Sequence, residues 1–139
     1  MSNNQVTEIA KRFLLTHNQA DYRESFDEYF APDVVIHEYL PGLPDAMNRT
    51  IYEQFISNFR AALPDIHNSL EDIFADGDRV TLRWKGYGTH TGADLMQISA
   101  AGKYVEAHGI YLLRFQNGKI AEVWNHWDNL NVMAQLQQN

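Results

Sequence analysis

Apolar residues recur at helical spacing near the start of the chain. Residues 5–19 place Val, Ile, Ala, Phe and Leu side chains every three or four positions, which predicts an amphipathic helix. Asp21 followed three residues later by Glu24 is typical of a helix start, and Pro32 is expected to end this second, short helix. The chain therefore opens with two helices.

A strand and a third helix are predicted next. Residues 34–36 are all β-branched, which favours a strand. Thr50 and Glu53 have the spacing of a capping box, in which each side chain satisfies a free backbone N–H. Apolar residues then follow at helical spacing until Pro64, which stops the helix.

The second half of the chain changes to a period of two. Residues 80–84 alternate apolar with polar side chains after a turn at residues 76–78, as expected for a half-buried strand in a hairpin. Residues 104–115 and 119–127 flank an Asn-Gly pair that suits a tight hairpin turn. A last short helix is expected after Asp128, which we interpret as its cap.

This order of elements predicts an α+β fold. Helices that precede a long antiparallel meander indicate a curved antiparallel sheet wrapped around the N-terminal helices, with a pocket between the two layers. No change of composition, repeat or low-complexity segment divides residues 1–139, so we expect one domain.

Composition and charge exclude several classes of function. The chain carries 18 acidic against 11 basic residues, a net charge of −7, which is the wrong sign for a nucleic-acid partner. It has no cysteine, which excludes disulfides and thiolate catalysis. No apolar run is long enough to span a membrane, and the polar start does not resemble a signal peptide, so we expect a cytoplasmic protein.

Short motifs along the chain carry a resemblance to a known family. They are FAPDVVI at residues 30–36, DGDRV at 76–80, GTHTG at 88–92, GK at 102–103, LRFQNGKI at 113–120 and EVWNHWD at 122–128. In this order they resemble the SnoaL-like polyketide cyclases of the nuclear transport factor 2-like superfamily, which also holds ketosteroid isomerase. The resemblance implies a cone-shaped domain, an open-ended apolar pocket and a homodimer, but not one particular reaction.

The sequence departs from that family at its acid/base residue. The polyketide cyclases have an aspartate directly after the position of Trp124, where this chain has Asn125, and an amide cannot take a proton. Ketosteroid isomerase uses an Asp base together with a Tyr and a protonated Asp. Resemblance in the flanking motifs puts Glu38 at the base position, Tyr111 at the protonated-Asp position and Phe13 near the Tyr position.

Glu38 is the candidate base. It follows an apolar strand and precedes an apolar loop, where loss of water would raise its pKa toward a range useful for proton abstraction. The alternative is a solvated carboxylate at the end of a strand.

Alternation along the last hairpin selects the other candidate pocket residues. Tyr111 and Asn125 fall on one face, which the resemblance makes the pocket wall, and there they could hydrogen-bond a carbonyl or enolate. Alternatively, these two side chains satisfy each other or a buried water. The candidate apolar contacts to a ligand are Phe13, Phe55, Phe59, Leu113 and Trp127.

The remaining polar candidates have weaker signals. No two of the six histidines have the spacing of a compact metal-ligand set, so no metal is expected. His90 and Asp128 are reserve acid/base candidates, with turn stabilisation and helix capping as their alternatives. Trp84 and Trp124 are assigned to the outer, dimer-forming face of the sheet.

Two functions are compatible with these residues. The first is a cofactor-independent enzyme that moves protons on a hydrophobic carbonyl-bearing substrate, as a cyclase, isomerase or dehydratase, with the loop at residues 92–102 closing over the pocket. The second is a ligand-binding or dimerisation module without catalysis, which the replacement at Asn125 keeps open.

Overall fold

A computed structural model describes residues 1–138, which form four helices and five strands. In chain order these are α1 (Asn3–Thr16), α2 (Tyr22–Tyr29), β1 (Phe30–Glu38), α3 (Arg49–Ala62), β2 (His67–Asp76), β3 (Arg79–Thr89), β4 (Tyr104–Gln116), β5 (Lys119–Trp127) and α4 (Asn129–Leu136).

The strands form one open sheet in the order β1-β5-β4-β3-β2. Strands β2 to β5 make the predicted antiparallel meander, and the α+β cone is confirmed. One pairing differs from the antiparallel prediction: β1 runs parallel to β5. Parallel neighbours need a long crossover connection, and the segment from α3 to β4 provides it. As a result Glu38, the last residue of β1, pairs with Asn125 near the end of β5.

Helix α2 ends earlier than the sequence predicts. It stops at Tyr29, and Pro32 lies inside β1. Proline is tolerated there because β1 is an edge strand, where a missing backbone N–H need not break a ladder on both sides. Asp21 occupies the predicted N-cap position but makes no capping hydrogen bond.

The predicted capping box of α3 is wrong. Asn48 is the N-cap, and its side-chain oxygen accepts a hydrogen bond from the backbone N–H of Ile51 at 2.9 Å. Glu53 instead binds Arg49, one turn earlier on the same helix, at 3.0 Å. The two caps lie two residues apart, and an Asn is at least as good an N-cap as a Thr.

Two apolar clusters fill the space between the helices and the inner face of the sheet. The larger joins α1, α2 and α3 to the sheet and is rich in aromatic side chains. The smaller lies under α4. Trp127 packs against both, so the C-terminal end of β5 lies where the clusters meet.

Among residues 1–138, no helix is both long enough and apolar enough to cross a membrane.

Candidate active site

A cavity of about 90 Å³ lies between the two apolar clusters. Its walls come from His17, which caps the C-terminal end of α1, from α3 and α4, and from the inner face of the sheet. The lining residues used below are His17, Tyr52, Phe55, Phe59, Trp84, Tyr111, Asn125 and Trp127. Most of this lining is apolar, with a few polar atoms, as is usual for a site that binds a small hydrophobic molecule.

A chain of hydrogen bonds runs along the sheet side of the cavity to Glu38. The indole Nε1 of Trp84 donates to Asn125 Oδ1 at 3.1 Å, and Asn125 Nδ2 donates to Glu38 Oε2 at 2.8 Å. Trp127 Nε1 donates to the other carboxyl oxygen, Oε1, at 3.1 Å. Because an indole N–H can only donate, Trp84 fixes the amide of Asn125 with its nitrogen toward Glu38.

A glycine makes this arrangement possible. Gly109 on β4 pairs with Trp84 on one side and with Trp127 on the other. A Cβ at residue 109 would lie 2.6 Å from the Trp84 ring and 2.7 Å from Trp127 Cβ. The missing side chain therefore allows both indoles to lie close over β4, with Trp84 reaching Asn125.

Burial raises the pKa of Glu38 to about 8. The residue is 1% exposed, and loss of water disfavours its charged form more than the bonds from Asn125 and Trp127 favour it. A carboxyl group with a pKa near 8 changes charge close to neutral pH, which suits a general base.

A second polar chain lies on the helix side of the cavity. His17 Nε2 is 2.6 Å from the hydroxyl of Tyr52, which in turn is 3.1 Å from the hydroxyl of Tyr111. His17 Nδ1 contacts the backbone oxygens of Phe13 and Leu14 at 2.9 and 3.1 Å. Burial lowers the pKa of His17 to about 4, so its ring is neutral at physiological pH. Burial also raises the pKa of both tyrosines, which therefore keep their protons.

The structure brings most of the predicted site residues together. Tyr111, Asn125, Phe55, Phe59 and Trp127 all line the cavity. Glu38 does not line it but lies directly behind Asn125 and Trp127, to which it is hydrogen-bonded.

Two predicted ligand contacts lie elsewhere. Phe13 and Leu113 are fully buried in the larger apolar cluster and do not line the cavity. Phe13 packs edge-on against the rings of His17 and Tyr111 instead, so it supports residues of the wall.

The two reserve acid/base candidates have structural contacts outside the cavity. His90 is fully buried after β3, and its Nε2 is 2.8 Å from the backbone oxygen of Ala93. Asp128 occupies the N-cap position of α4, but its side chain accepts from the backbone N–H of His108 at 2.8 Å and makes no capping bond. Among residues 1–138, neither side chain is hydrogen-bonded to Trp84, Asn125 or Glu38.

Sequence reasoning missed three residues of the site. The assignment of Trp84 to the outer face is wrong, since it is 7% exposed and bonds to Asn125. Its position opposite Gly109 would have revealed this, had the strand register been known. Tyr52 lies on the buried face of α3, and His17 is the buried C-cap of α1. In both cases a polar residue among apolar neighbours was the available signal.

The loop at residues 92–102 is packed against the end of α3. The backbone N–H groups of Gly92 and Ala93 donate to the carbonyls of Ala62 and Ala61 at 3.1 and 3.0 Å. Together with a neighbouring loop, the segment encloses an outer recess of about 430 Å³. Phe55 and Phe59 line both this recess and the inner cavity, so these two rings separate them.

No group of three or more His, Asp or Glu side chains within residues 1–138 is arranged to hold a metal ion.

The fold has counterparts among solved structures. IdmH of Streptomyces antibioticus, a proposed polyketide cyclase, is 28% identical with a TM-score of 0.79, and the match covers 96% of this chain and 99% of IdmH. A proposed polyketide cyclase of Acidithiobacillus ferrooxidans is also 28% identical, with a TM-score of 0.79 and 99% of both chains covered. AclR of Streptomyces galilaeus, a proposed hydroxylase, has a TM-score of 0.83 at 23% identity, with 97% of both chains covered, which shows the shared fold alone.

Sequence comparison gives the family directly. No curated protein matches the chain closely in sequence. The family model of the SnoaL-like polyketide cyclases, however, matches residues 7–136, nearly the whole chain. With the cone-like fold and the apolar cavity, this match shows that the chain belongs to the SnoaL-like polyketide cyclase family, whose fold suggests a cofactor-free enzyme of the cyclase or isomerase type.

Proposed function

We propose that this protein is a cofactor-independent enzyme that transfers protons on a hydrophobic substrate bearing a carbonyl group. One observation carries the proposal: a buried carboxyl group, Glu38, has its pKa raised to about 8 directly behind the wall of an apolar cavity. Strongly perturbed carboxyl groups beside a cavity are typical of acid/base sites.

The roles of the side chains follow from their contacts. Ionised Glu38 accepts a proton from the carbon next to the substrate carbonyl and later returns it. Oxygen Oε1 is covered by the indole N–H of Trp127 at 3.1 Å, so proton transfer to this oxygen requires Trp127 to move aside. Only one of the two amide hydrogens of Asn125 is used among the described residues, and the second can bind the oxygen on which charge develops.

A second candidate function is ligand binding without catalysis. Two observations favour it: the cavity wall is mostly apolar, and Glu38 itself does not line the cavity. In such a module the Trp84–Asn125–Glu38 chain would hold the sheet together and would not act on a ligand.

Exchange of carbon-bound hydrogen separates the two functions. In deuterated water, 2-tetralone has acidic hydrogens next to its carbonyl, and NMR follows their replacement by deuterium. We expect the protein to accelerate this exchange, with a rate that rises with pH about a midpoint near 8 as Glu38 ionises. Binding of 2-tetralone with no acceleration at any pH from 6 to 9 would favour the binding module.

We also propose that the outer face of the sheet forms a homodimer contact. Ile110 on β4 is 46% exposed there, with its side chain on the face opposite Tyr111. The ion pair of Lys85 with Glu106, at 3.2 Å, lies on the same face and offers both charges to a second copy.

Ile110→Glu is expected to shift the protein from dimer to monomer in analytical ultracentrifugation, because it places a charge inside an apolar contact. Leu130→Glu is the matched control, since Leu130 is 77% exposed but lies on α4. A monomeric wild type, or a dimeric Ile110→Glu variant, would contradict this interface.

A further inference from the structure

The chain of His17, Tyr52 and Tyr111 has only one consistent arrangement of hydrogens. His17 Nδ1 faces the backbone oxygens of Phe13 and Leu14, which can only accept, so Nδ1 carries the ring hydrogen. In the neutral ring Nε2 is then an acceptor. It lies 2.6 Å from the hydroxyl of Tyr52, which must donate to it.

The hydrogen of Tyr111 is fixed by the same reasoning. Tyr52 has one hydroxyl hydrogen, and His17 receives it. The contact of 3.1 Å between the two tyrosine oxygens therefore needs the hydrogen of Tyr111. Tyr111 lines the cavity, but it presents a hydroxyl oxygen whose hydrogen is already used.

We propose that His17 is a specificity-determining residue that makes Tyr111 a hydrogen-bond acceptor, so that the ligand of this cavity carries an enolic or phenolic hydroxyl at Tyr111. The inference deepens the proposed function and rests on it for the identity of the site. The requirement is for a hydrogen-bond donor on the ligand at this point of the cavity wall. The carbonyl oxygen of the same ligand is left to the free amide hydrogen of Asn125.

The reason is the cost of an unmatched polar group. A ligand carbonyl at Tyr111 would either face a hydroxyl oxygen without a hydrogen or take the hydrogen from its bond with Tyr52. In the second case two oxygens 3.1 Å apart would face each other with no hydrogen between them. Buried polar atoms without a hydrogen-bond partner are costly. A ligand hydroxyl, in contrast, donates its hydrogen to the oxygen of Tyr111 and leaves the other hydrogen bonds of the chain intact.

A matched pair of probes tests this inference. 1-Naphthol and 1-tetralone have nearly the same shape, but the first has a hydroxyl donor and the second a carbonyl acceptor. By calorimetry or fluorescence titration we expect wild type to bind 1-naphthol roughly tenfold more tightly, the scale of one mismatched buried hydrogen bond. Equal affinities, a preference for 1-tetralone, or no binding of either probe would overturn the inference.

Two variants test the part played by His17. In His17→Phe the Tyr52 hydrogen is free to turn to Tyr111, whose own hydrogen then turns to the cavity, so the preference should move to 1-tetralone. Tyr52→Phe removes the acceptor of the Tyr111 hydrogen and should shift the preference the same way. A folded variant of either kind that keeps the wild-type ratio would overturn the role of His17.

The outcome is independent of the proton-transfer proposal. The ratio of affinities is an equilibrium measurement that involves no proton transfer to Glu38. A preference for 1-naphthol without hydrogen exchange would contradict the proposed function but not this inference. Hydrogen exchange with equal binding of the two probes would contradict this inference but not the proposed function.

Discussion

Glu38→Gln is expected to slow the exchange of 2-tetralone hydrogens by about 10² to 10⁴-fold, the usual contribution of a positioned general base. The amide keeps the size and shape of the carboxyl group but has no oxygen that ionises. Gln can accept only one of the two N–H bonds that Glu38 accepts from Asn125 and Trp127. Because Glu38 does not line the cavity, binding of 2-tetralone should remain while the pH-dependent acceleration disappears. NMR measurement of exchange at saturating ketone separates these two effects.

The matched control removes a carboxylate on the other face of the same strand pair. Glu122 on β5 binds His37 at 2.7 Å and Arg114 at 3.3 Å, away from the cavity. Glu122→Gln should leave the exchange rate within a factor of two or three, as expected for a change remote from the chemistry. An unchanged rate in Glu38→Gln would remove Glu38 from the proposed mechanism.

The fold could be predicted from the sequence because its periodic signals are local. The Asn117-Gly118 turn has positive φ at both residues, as tight hairpin turns require. The parallel pairing of β1 with β5 could not be predicted in this way. It joins residues about 90 positions apart, and no local pattern specifies which way an edge strand runs.

The site was predictable where strand alternation alone decides the facing. Tyr111 and Asn125 are direct cross-strand neighbours in β4 and β5. Alternation along this one hairpin is therefore enough to assign both side chains to the same face. Trp84 needed the register of β3 against β4 as well, and a shift by one residue reverses the face of every side chain. Tyr52 and His17 needed the packing of α3 against α1, which periodicity does not provide.

Two buried groups with opposite pKa shifts should give the folded protein a narrow range of maximum stability. Burial raises the pKa of Glu38 from 4.5 to about 8, so the folded state holds a proton that the unfolded chain releases. Stability from this group is complete below pH 4.5 and is lost as pH rises to 8. At about 1.4 kcal/mol for each pKa unit, the loss from Glu38 amounts to about 5 kcal/mol.

His17 acts in the opposite direction. Burial lowers its pKa from 6.5 to about 4. Between pH 6.5 and 4 the unfolded chain therefore binds a proton that the folded state does not bind. Its stabilising effect is complete above pH 6.5 and is lost as pH falls to 4. Between pH 4.5 and 6.5 the two slopes cancel, and from pH 6.5 to 8 Glu38 alone lowers the free energy of unfolding, by about 2 kcal/mol.

Urea unfolding of the wild type across pH 4 to 9 should therefore show a plateau with a fall on its alkaline side. In Glu38→Gln the alkaline fall should vanish, because the amide does not titrate. The slope of His17 is then no longer cancelled, so the free energy of unfolding should rise by about 3 kcal/mol from pH 4 to 6.5. In His17→Phe the acidic fall should vanish, and the alkaline fall should begin near pH 4.5 and reach about 5 kcal/mol by pH 8, because the slope of Glu38 is no longer cancelled. If the free energy of unfolding of the wild type stays constant from pH 6.5 to 8.5, Glu38 does not hold its proton in the folded state. That result would also remove the physical basis for the role of Glu38 as a base near neutral pH.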